Sequence, residues 1–176
     1  MKRILIILVG TLTIMAANAQ SVKPLEFELF GGVTTGLGNA KIKKPLGIKL
    51  GFGAGIEARY NLANNMDIAL QGSVATLGPA SGQCWIYATA LFFADYQINM
   101  QSSILSVGLG IGIQDKVHSD NKFGIFKLSL SQDEKTGFCV APRVSYRVSD
   151  HVRLSLTDYI ANKTHNTLCL SVGYVF

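Results

Sequence analysis

The sequence predicts an all-β fold in which eight antiparallel strands close into an up-and-down barrel. Apolar residues alternate with small or polar residues in eight separate segments, which is the pattern of strands with two unlike faces. The connections between these segments alternate between short and long. The less bulky face carries glycines and charges of both signs. A length of 176 residues fits one domain of this kind.

The predicted strands follow one another along most of the chain and span residues 25–33, 47–60, 65–76, 83–95, 101–113, 136–148, 151–159 and 167–176. The alternation is clearest in GIKLGFGAGIEARY and SSILSVGLGIGI, where every second residue is bulky. The fourth segment, QCWIYATALFFADY, is bulky on both faces. We assign Trp85, Tyr87, Leu91 and Phe93 to its apolar face, which leaves the alanines opposite.

The less bulky faces indicate which side of the barrel meets water. A soluble barrel would place the bulky face inward, and its alternate glycines, such as Gly108, Gly110 and Gly112, would then weaken water-facing strands. In a narrow lumen the same glycines make room for larger side chains from opposite strands. The sequence therefore favours a transmembrane barrel with its bulky face toward lipid.

The charges support the same orientation. Arginine suits enclosed ion pairs, whereas lysine suits solvated positions, and in this chain eight of the lysines fall in the long connections. The predicted lumen network consists of Glu26, Glu28, Glu57, Asp67, Arg59, Arg143, Arg147 and Arg153. Such a network can seal the barrel as a plug or line a narrow pore, and eight strands leave an interior that side chains can fill, which favours the plug.

The connections and the aromatic residues divide between two ends. Short connections fall at 61–64, 96–100 and 149–150, and longer ones at 34–46, 77–82, 114–135 and 160–166. Short periplasmic turns and long outer loops are typical of transmembrane barrels. The sequence predicts one aromatic belt at each end of the apolar band. The members at the short turns are Tyr60, Tyr96, Tyr146, Tyr174 and Phe176, and those at the long loops are Trp85, Tyr87 and Phe138.

The N-terminal residues have the pattern of a secretory signal peptide. Lys2 and Arg3 precede an apolar run that is too short to span a bilayer as a helix, and Ala17 and Ala19 form a small-x-small cleavage site. We therefore expect residues 1–19 to be removed and residues 20–176 to form the barrel domain. Removal lowers the net charge from +5 to +3, too little to indicate nucleic-acid binding.

The last strand alternates to the end of the chain, with Leu170, Val172, Tyr174 and Phe176 on one face. With the signal peptide and the eight amphipathic strands, this terminus resembles the small outer-membrane β-barrel proteins, the group of the OmpA barrel and OmpX. The resemblance implies a porin-like protein that is located in the outer membrane of a Gram-negative bacterium. It also implies that the barrel-assembly machinery reads these four residues as its signal. We expect the protein to be a monomer.

Catalytic and metal-binding patterns are weak. Some eight-stranded barrels modify lipid A, and the deacylases among them carry His-x-Ser on a late strand. The matching region here, RLSLTDYIANKTH, has no such pair, which leaves only His165, Asp158 and Ser171 as a conceivable site. No Cys or His pair has ligand spacing. We predict no catalytic residue, metal or cofactor, with a lipid A hydrolase or a small-solute pore as the alternatives to a structural or binding role.

The long loops are the predicted interaction surface. Outer-membrane lipid surrounds such a barrel. The loop lysines could contact lipopolysaccharide phosphates or remain solvated. These lysines are Lys41, Lys43, Lys44, Lys116, Lys122, Lys127, Lys135 and Lys163. Loop 114–135 contains a second alternating stretch, NKFGIFKLSLSQ, whose exposed edge could pair with a protein partner. The cysteines Cys84, Cys139 and Cys169 are either packing residues or include one disulfide.

Overall fold

A computed structural model describes residues 25–38, 50–63, 65–77, 85–100, 103–118, 136–162, 164 and 166–176. They form eight strands: β1 (Glu26–Gly38), β2 (Leu50–Ala63), β3 (Met66–Leu77), β4 (Trp85–Asn99), β5 (Ile104–His118), β6 (Gly137–Ser149), β7 (Val152–Ala161) and β8 (Asn166–Val175). The proposed signal peptide, with Ala17 and Ala19, lies outside the described residues, as does most of loop 114–135.

The strands close into one barrel in chain order. Each strand pairs antiparallel with the next, and β8 pairs with β1, so that Tyr174 lies opposite Leu29. The last residue continues this pairing, because the Phe176 N–H donates to the Phe27 carbonyl at 2.8 Å. The predicted all-β, eight-stranded antiparallel barrel is confirmed. No helix long and apolar enough to cross a membrane occurs in the described part of the chain.

The strands extend further than the alternation alone predicted, mostly at the long-loop end. β5 continues to His118, five residues beyond its predicted end, so Lys116 lies in a strand and not in a loop. β1 likewise continues to Gly38. These extensions carry the barrel wall into segments that the sequence assigned to loops.

The outer surface of the barrel is apolar. Of the described residues, thirty large apolar or aromatic side chains are exposed, among them Leu29 at 55%, Phe52 at 75% and Ile56 at 64%. A soluble protein rarely exposes apolar patches of more than a few hundred Å². The bulky faces of β1, β2, β3, β5, β6, β7 and β8 point outward as predicted, and the charged residues of the proposed network point into the lumen.

The predicted orientation of β4 is wrong. Tyr87, Leu91 and Phe93 are at most 1% exposed and fill the lumen, whereas Phe92 is 47% exposed on the outer face. Both faces of β4 carry bulk, so apolar alternation could not distinguish them. The polar residues of the strand decide its orientation, because Asp95 has the same parity as Phe93 and its carboxylate is buried among arginines. The side chain of Trp85 lies outside the described residues.

The lumen glycines make room for large side chains of the adjacent, paired strands. The expectation that they make room for side chains from strands across the barrel is wrong. Gly110 pairs with Phe93 of β4, and a Cβ at Gly110 would lie 2.6 Å from the Phe93 ring. Gly55 of β2 is similarly crowded by the ring of Phe30 on β1. A large side chain that stands in the lumen spreads over the adjacent strand, so the residue opposite it in the ladder must be small.

The aromatic residues form a belt at the short-turn end of the outer face. Tyr96, Tyr146, Tyr174 and Phe176 are exposed there. At the long-loop end, Phe138 is 54% exposed. Tyr87 does not belong to that belt, because its side chain is completely buried in the lumen.

Candidate functional site

The candidate site is the charged half of the lumen, next to the short turns. The structure places all eight residues of the proposed network on the inner face of their strands. They join through ion pairs in two layers, an inner layer around Glu57 and an outer layer around Glu26. Alternation brings them inside, because each lies on the small-residue face of a strand whose other face is bulky.

Arg143 is the centre of the inner layer. Its guanidinium crosses the lumen from β6 to the Glu57 carboxylate on β2 and also binds Asp95 of β4, with its Nε 3.0 Å from Asp95 Oδ1. The guanidinium carbon lies 3.8 Å from the centre of the Phe93 ring, within the range of a cation–π contact. One arginine thus joins three strands of the wall.

Arg59 completes the inner layer. Its guanidinium lies 2.7 Å from Glu57 Oε1, 3.0 Å from Asp95 Oδ2 and 3.2 Å from Asp67 Oδ2. The Gln97 side-chain amide donates to the same Asp67 carboxylate. These side chains are almost fully buried, so their charges are balanced by one another and not by bulk water.

The outer layer faces the short turns and is more open. Arg153 binds Glu28, and Nη2 of Arg153 lies 3.4 Å from Glu26 Oε2. Arg147 Nη1 lies 2.7 Å from Glu26 Oε1, with the two side chains 18% and 27% exposed. The network therefore changes from partly exposed groups at the turn end to fully buried pairs near the middle of the barrel.

Sequence reasoning missed Asp95 and Gln97. With Asp95 the described lumen network contains five carboxylates and four arginines, where the sequence predicted equal numbers. The signal was present in the sequence, since Asp95 and Gln97 share the parity of Phe93. Assigning the bulky residues of β4 to the outer face placed both polar residues incorrectly.

Neutral side chains bridge the lumen beyond this network. The Gln71 amide of β3 donates to the Tyr159 hydroxyl of β7 at 3.1 Å, which joins opposite walls of the barrel. Nearer the long loops, the Thr164 hydroxyl donates to the side-chain oxygen of Gln114. A small cavity beside Tyr159 and Cys169 has space for about one water molecule.

The four residues of the proposed assembly signal line the outer face of β8. Leu170, Val172, Tyr174 and Phe176 are 50–71% exposed. The imidazole of His151, in the β6–β7 turn, stacks on Tyr174 with ring centres 5.5 Å apart. The backbone N–H of Val175 donates to the His151 carbonyl at 2.9 Å. The end of the chain is therefore held by β1 on one side and by the turn on the other.

The conceivable catalytic combination is not assembled. Ser171 points into the lumen and is 6% exposed, whereas Asp158 lies on the outer face of β7; His165 is outside the described residues. Cys139 and Cys169 are buried and unpaired, and Cys84 is not described. The described ranges contain no group of three or more His, Cys, Asp or Glu side chains that could hold a metal ion.

Comparison with solved structures identifies the fold. Neisserial surface protein A superposes with a TM-score of 0.60 at 18% identity, covering 86% of this chain and 95% of that chain. The fold is that of small outer-membrane β-barrels. Ail, the attachment invasion locus protein of Yersinia pestis, has a TM-score of 0.51 at 16% identity, covering 86% and 99%. For OprG of Pseudomonas aeruginosa the values are 0.50 and 11%, covering 89% and 98%. No family model and no curated protein sequence matches the chain.

Proposed function

We propose that this chain is an integral outer-membrane β-barrel with a sealed lumen and a structural or surface-binding role. The observation that carries the proposal is the distribution of side chains between the two faces. The outer face is apolar between its aromatic residues, whereas buried ion pairs fill the interior. This arrangement is stable when lipid surrounds the barrel, because water outside would expose the whole apolar band.

If the lumen is sealed, binding partners can contact the barrel only at its ends or on its outer face, and we propose the ends. A solute that crossed the lumen would have to separate Arg143 from Glu57 and Asp95, which leaves buried charges without partners. Lipopolysaccharide at the loop lysines and a protein partner at residues 114–135 are the proposed surface contacts. The proposed biogenesis partner is the barrel-assembly machinery, acting on the exposed outer face of β8.

Fractionation of the expressing Gram-negative cell tests the location. The protein should be found in the outer-membrane fraction. It should also migrate faster on detergent gels before heating than after heating, because a folded barrel that resists detergent is more compact than the unfolded chain. The released chain should also begin near Gln20 if the signal peptide is removed. A protein found entirely in the soluble periplasmic fraction would show that the proposal is wrong.

A lipid A assay tests the enzymatic alternative separately. If the chain only binds or supports the membrane, its expression should leave the acyl chains of lipid A unchanged by mass spectrometry. An acyl-chain change that requires the intact barrel would replace the proposed role with a hydrolase or transferase activity.

A further inference from the structure

The inner layer of the lumen network has one more negative group than positive groups. Its carboxylates belong to Glu57, Asp67 and Asp95, and its guanidinium groups belong to Arg59 and Arg143. The outer layer has two groups of each sign. All five side chains of the inner layer are at most 4% exposed. A surplus charge in such a place is costly, because water cannot compensate it.

The surplus charge is at Asp67 of β3. Asp67 lies opposite Asp95 in the β3–β4 ladder, and both side chains are buried in the lumen. Like charges directly opposite each other destabilise a sheet. Arg143 compensates Asp95 through its Nε and Nη2. The arginine nitrogen next to Asp67 is Arg59 Nη1 at 3.2 Å, which also lies 3.0 Å from Asp95. Asp67 therefore shares its arginine with another carboxylate.

A second pair of opposed carboxylates shows the difference. Glu28 lies opposite Glu57 in the β1–β2 ladder. Each of these two carboxylates has a separate arginine, since Glu28 binds Arg153 and Glu57 binds Arg143. The opposed position alone is therefore tolerated when each carboxylate has its own cation, and Asp67 does not meet that condition.

One oxygen of Asp67 has no donor. Oδ2 accepts from Arg59 and from the Gln97 amide, whereas Oδ1 is buried without a hydrogen-bond partner among the described residues. The residue is 1% exposed, so a water molecule or metal ion has no room at this oxygen. A proton needs no such room, and it converts the carboxylate into a neutral hydroxyl donor. The Gln97 carboxamide also carries an oxygen that can accept from this hydroxyl after rotation.

We propose that the inner layer is a proton-binding site, in which Asp67 carries one proton at neutral pH while Glu57 and Asp95 stay ionised. The proton leaves two carboxylates facing two guanidinium groups. The charged groups packed around Asp67 are Glu57 and Arg59 on β2, Asp95 on β4 and Arg143 on β6. The inference concerns the interior charges and does not rest on the proposed surface-binding role.

The bound proton makes the stability of the barrel depend on pH. An aspartate in the unfolded chain is ionised at neutral pH, so the folded protein holds one proton more than the unfolded chain. The unfolding equilibrium constant should therefore rise by up to about tenfold for each pH unit, until the proton also leaves the folded protein. Above that pH, Arg59 has to compensate Asp67 with a charge that it shares with Glu57 and Asp95.

Infrared difference spectra test the proton site directly. A protonated carboxyl group absorbs apart from ionised carboxylates, so the folded barrel is measured at neutral pH in a detergent without ester groups. Asp67→Asn should remove one protonated-carboxyl band from the wild-type spectrum. The control is Glu26→Gln, at a carboxylate that is 27% exposed and binds Arg147, and it should leave the band unchanged. An unchanged band in Asp67→Asn, or equal losses in both variants, would overturn the proposal.

Urea unfolding provides an independent test with a matched pair, Asp67→Asn and Asp95→Asn. At neutral pH, Asp67→Asn should keep about the wild-type midpoint, because a carboxamide replaces a group of the same shape that is already neutral. Asp95→Asn should lower the midpoint clearly, because Arg143 and Arg59 lose a charged acceptor. From about pH 6 to about pH 8.5, the wild-type midpoint should fall and that of Asp67→Asn should not.

Two results from unfolding would contradict the proton site. One is an Asp67→Asn chain that does not fold or that loses as much stability as Asp95→Asn. The other is an equal dependence on pH in the wild type and in Asp67→Asn. Neither result concerns the membrane location, which fractionation tests separately.

Discussion

Arg143 of β6 reaches across the lumen to Glu57 of β2, the strand four positions away in an eight-stranded ring. The same guanidinium binds Asp95 and lies over the Phe93 ring. A contact between opposite walls spans the lumen, whereas an ion pair between neighbouring strands follows the wall. It also makes the folded wall dependent on one buried group.

Replacing Arg143 with methionine should destabilise the barrel by about 3–5 kcal/mol, because Glu57 and Asp95 would stay buried without their main partner. Urea unfolding in detergent or lipid measures this effect. The matched control is Arg147→Met, whose side chain is 18% exposed and pairs with a partly exposed Glu26. That change should cost about 1 kcal/mol or less. Equal costs for the two variants would contradict the layered network.

Gly110→Ala should destabilise the barrel by about 1–3 kcal/mol, because the new Cβ would overlap the Phe93 ring at 2.6 Å. Adding Phe93→Leu should recover part of this loss. Gly72→Ala is the control, since no atom lies within 4 Å of its Cβ position. Midpoints of urea unfolding would show the difference. If Gly110→Ala proved as stable as Gly72→Ala, the glycines would not be making room for β4.

Cysteine labelling should verify the orientation of β4. In a Cys84→Ser chain, Phe92→Cys should react with a lipid-soluble thiol reagent, because Phe92 is 47% exposed on the outer face. Leu91→Cys, one residue away, should react much more slowly, because Leu91 is 1% exposed. The reverse order would restore the orientation that the sequence first indicated.

Deleting Phe176 should impair assembly in cells far more than stability in vitro. The residue contributes one N–H bond to Phe27, and its ring is 71% exposed, so the loss of stability should be about 1 kcal/mol. Outer-membrane yield and refolding in detergent measure the two effects separately. Phe52→Leu, an exposed aromatic at the other end, should assemble normally. Normal yield of the deletion variant would exclude Phe176 as an assembly signal.

The sequence predicted the orientation of a strand wherever one face was small. In β2 and β5 the glycines mark the small face, so only one face can be the bulky outer face. In β4 this distinction is lost, because Phe92 lies on one face and Phe93 on the other. In β4 the polar residue Asp95 determines which face is inside, and apolar volume does not.

The partners within the lumen could not be predicted from alternation. Which charges meet across the barrel depends on strand tilt and shear, which appear only when β8 pairs with β1. The pairing of Gln71 with Tyr159 and that of Arg143 with Glu57 both depend on that closure. Alternation identified which side chains are inside, and barrel geometry determined their contacts.

Conductance of the purified, heat-modifiable protein in planar lipid bilayers tests the sealed lumen most directly. We propose a lumen sealed by the ion pairs of Arg143 with Glu57 and Asp95, so the wild-type protein should insert without steady ion currents. Steady ohmic channels from the same inserted protein would contradict the sealed barrel and would favour a narrow pore.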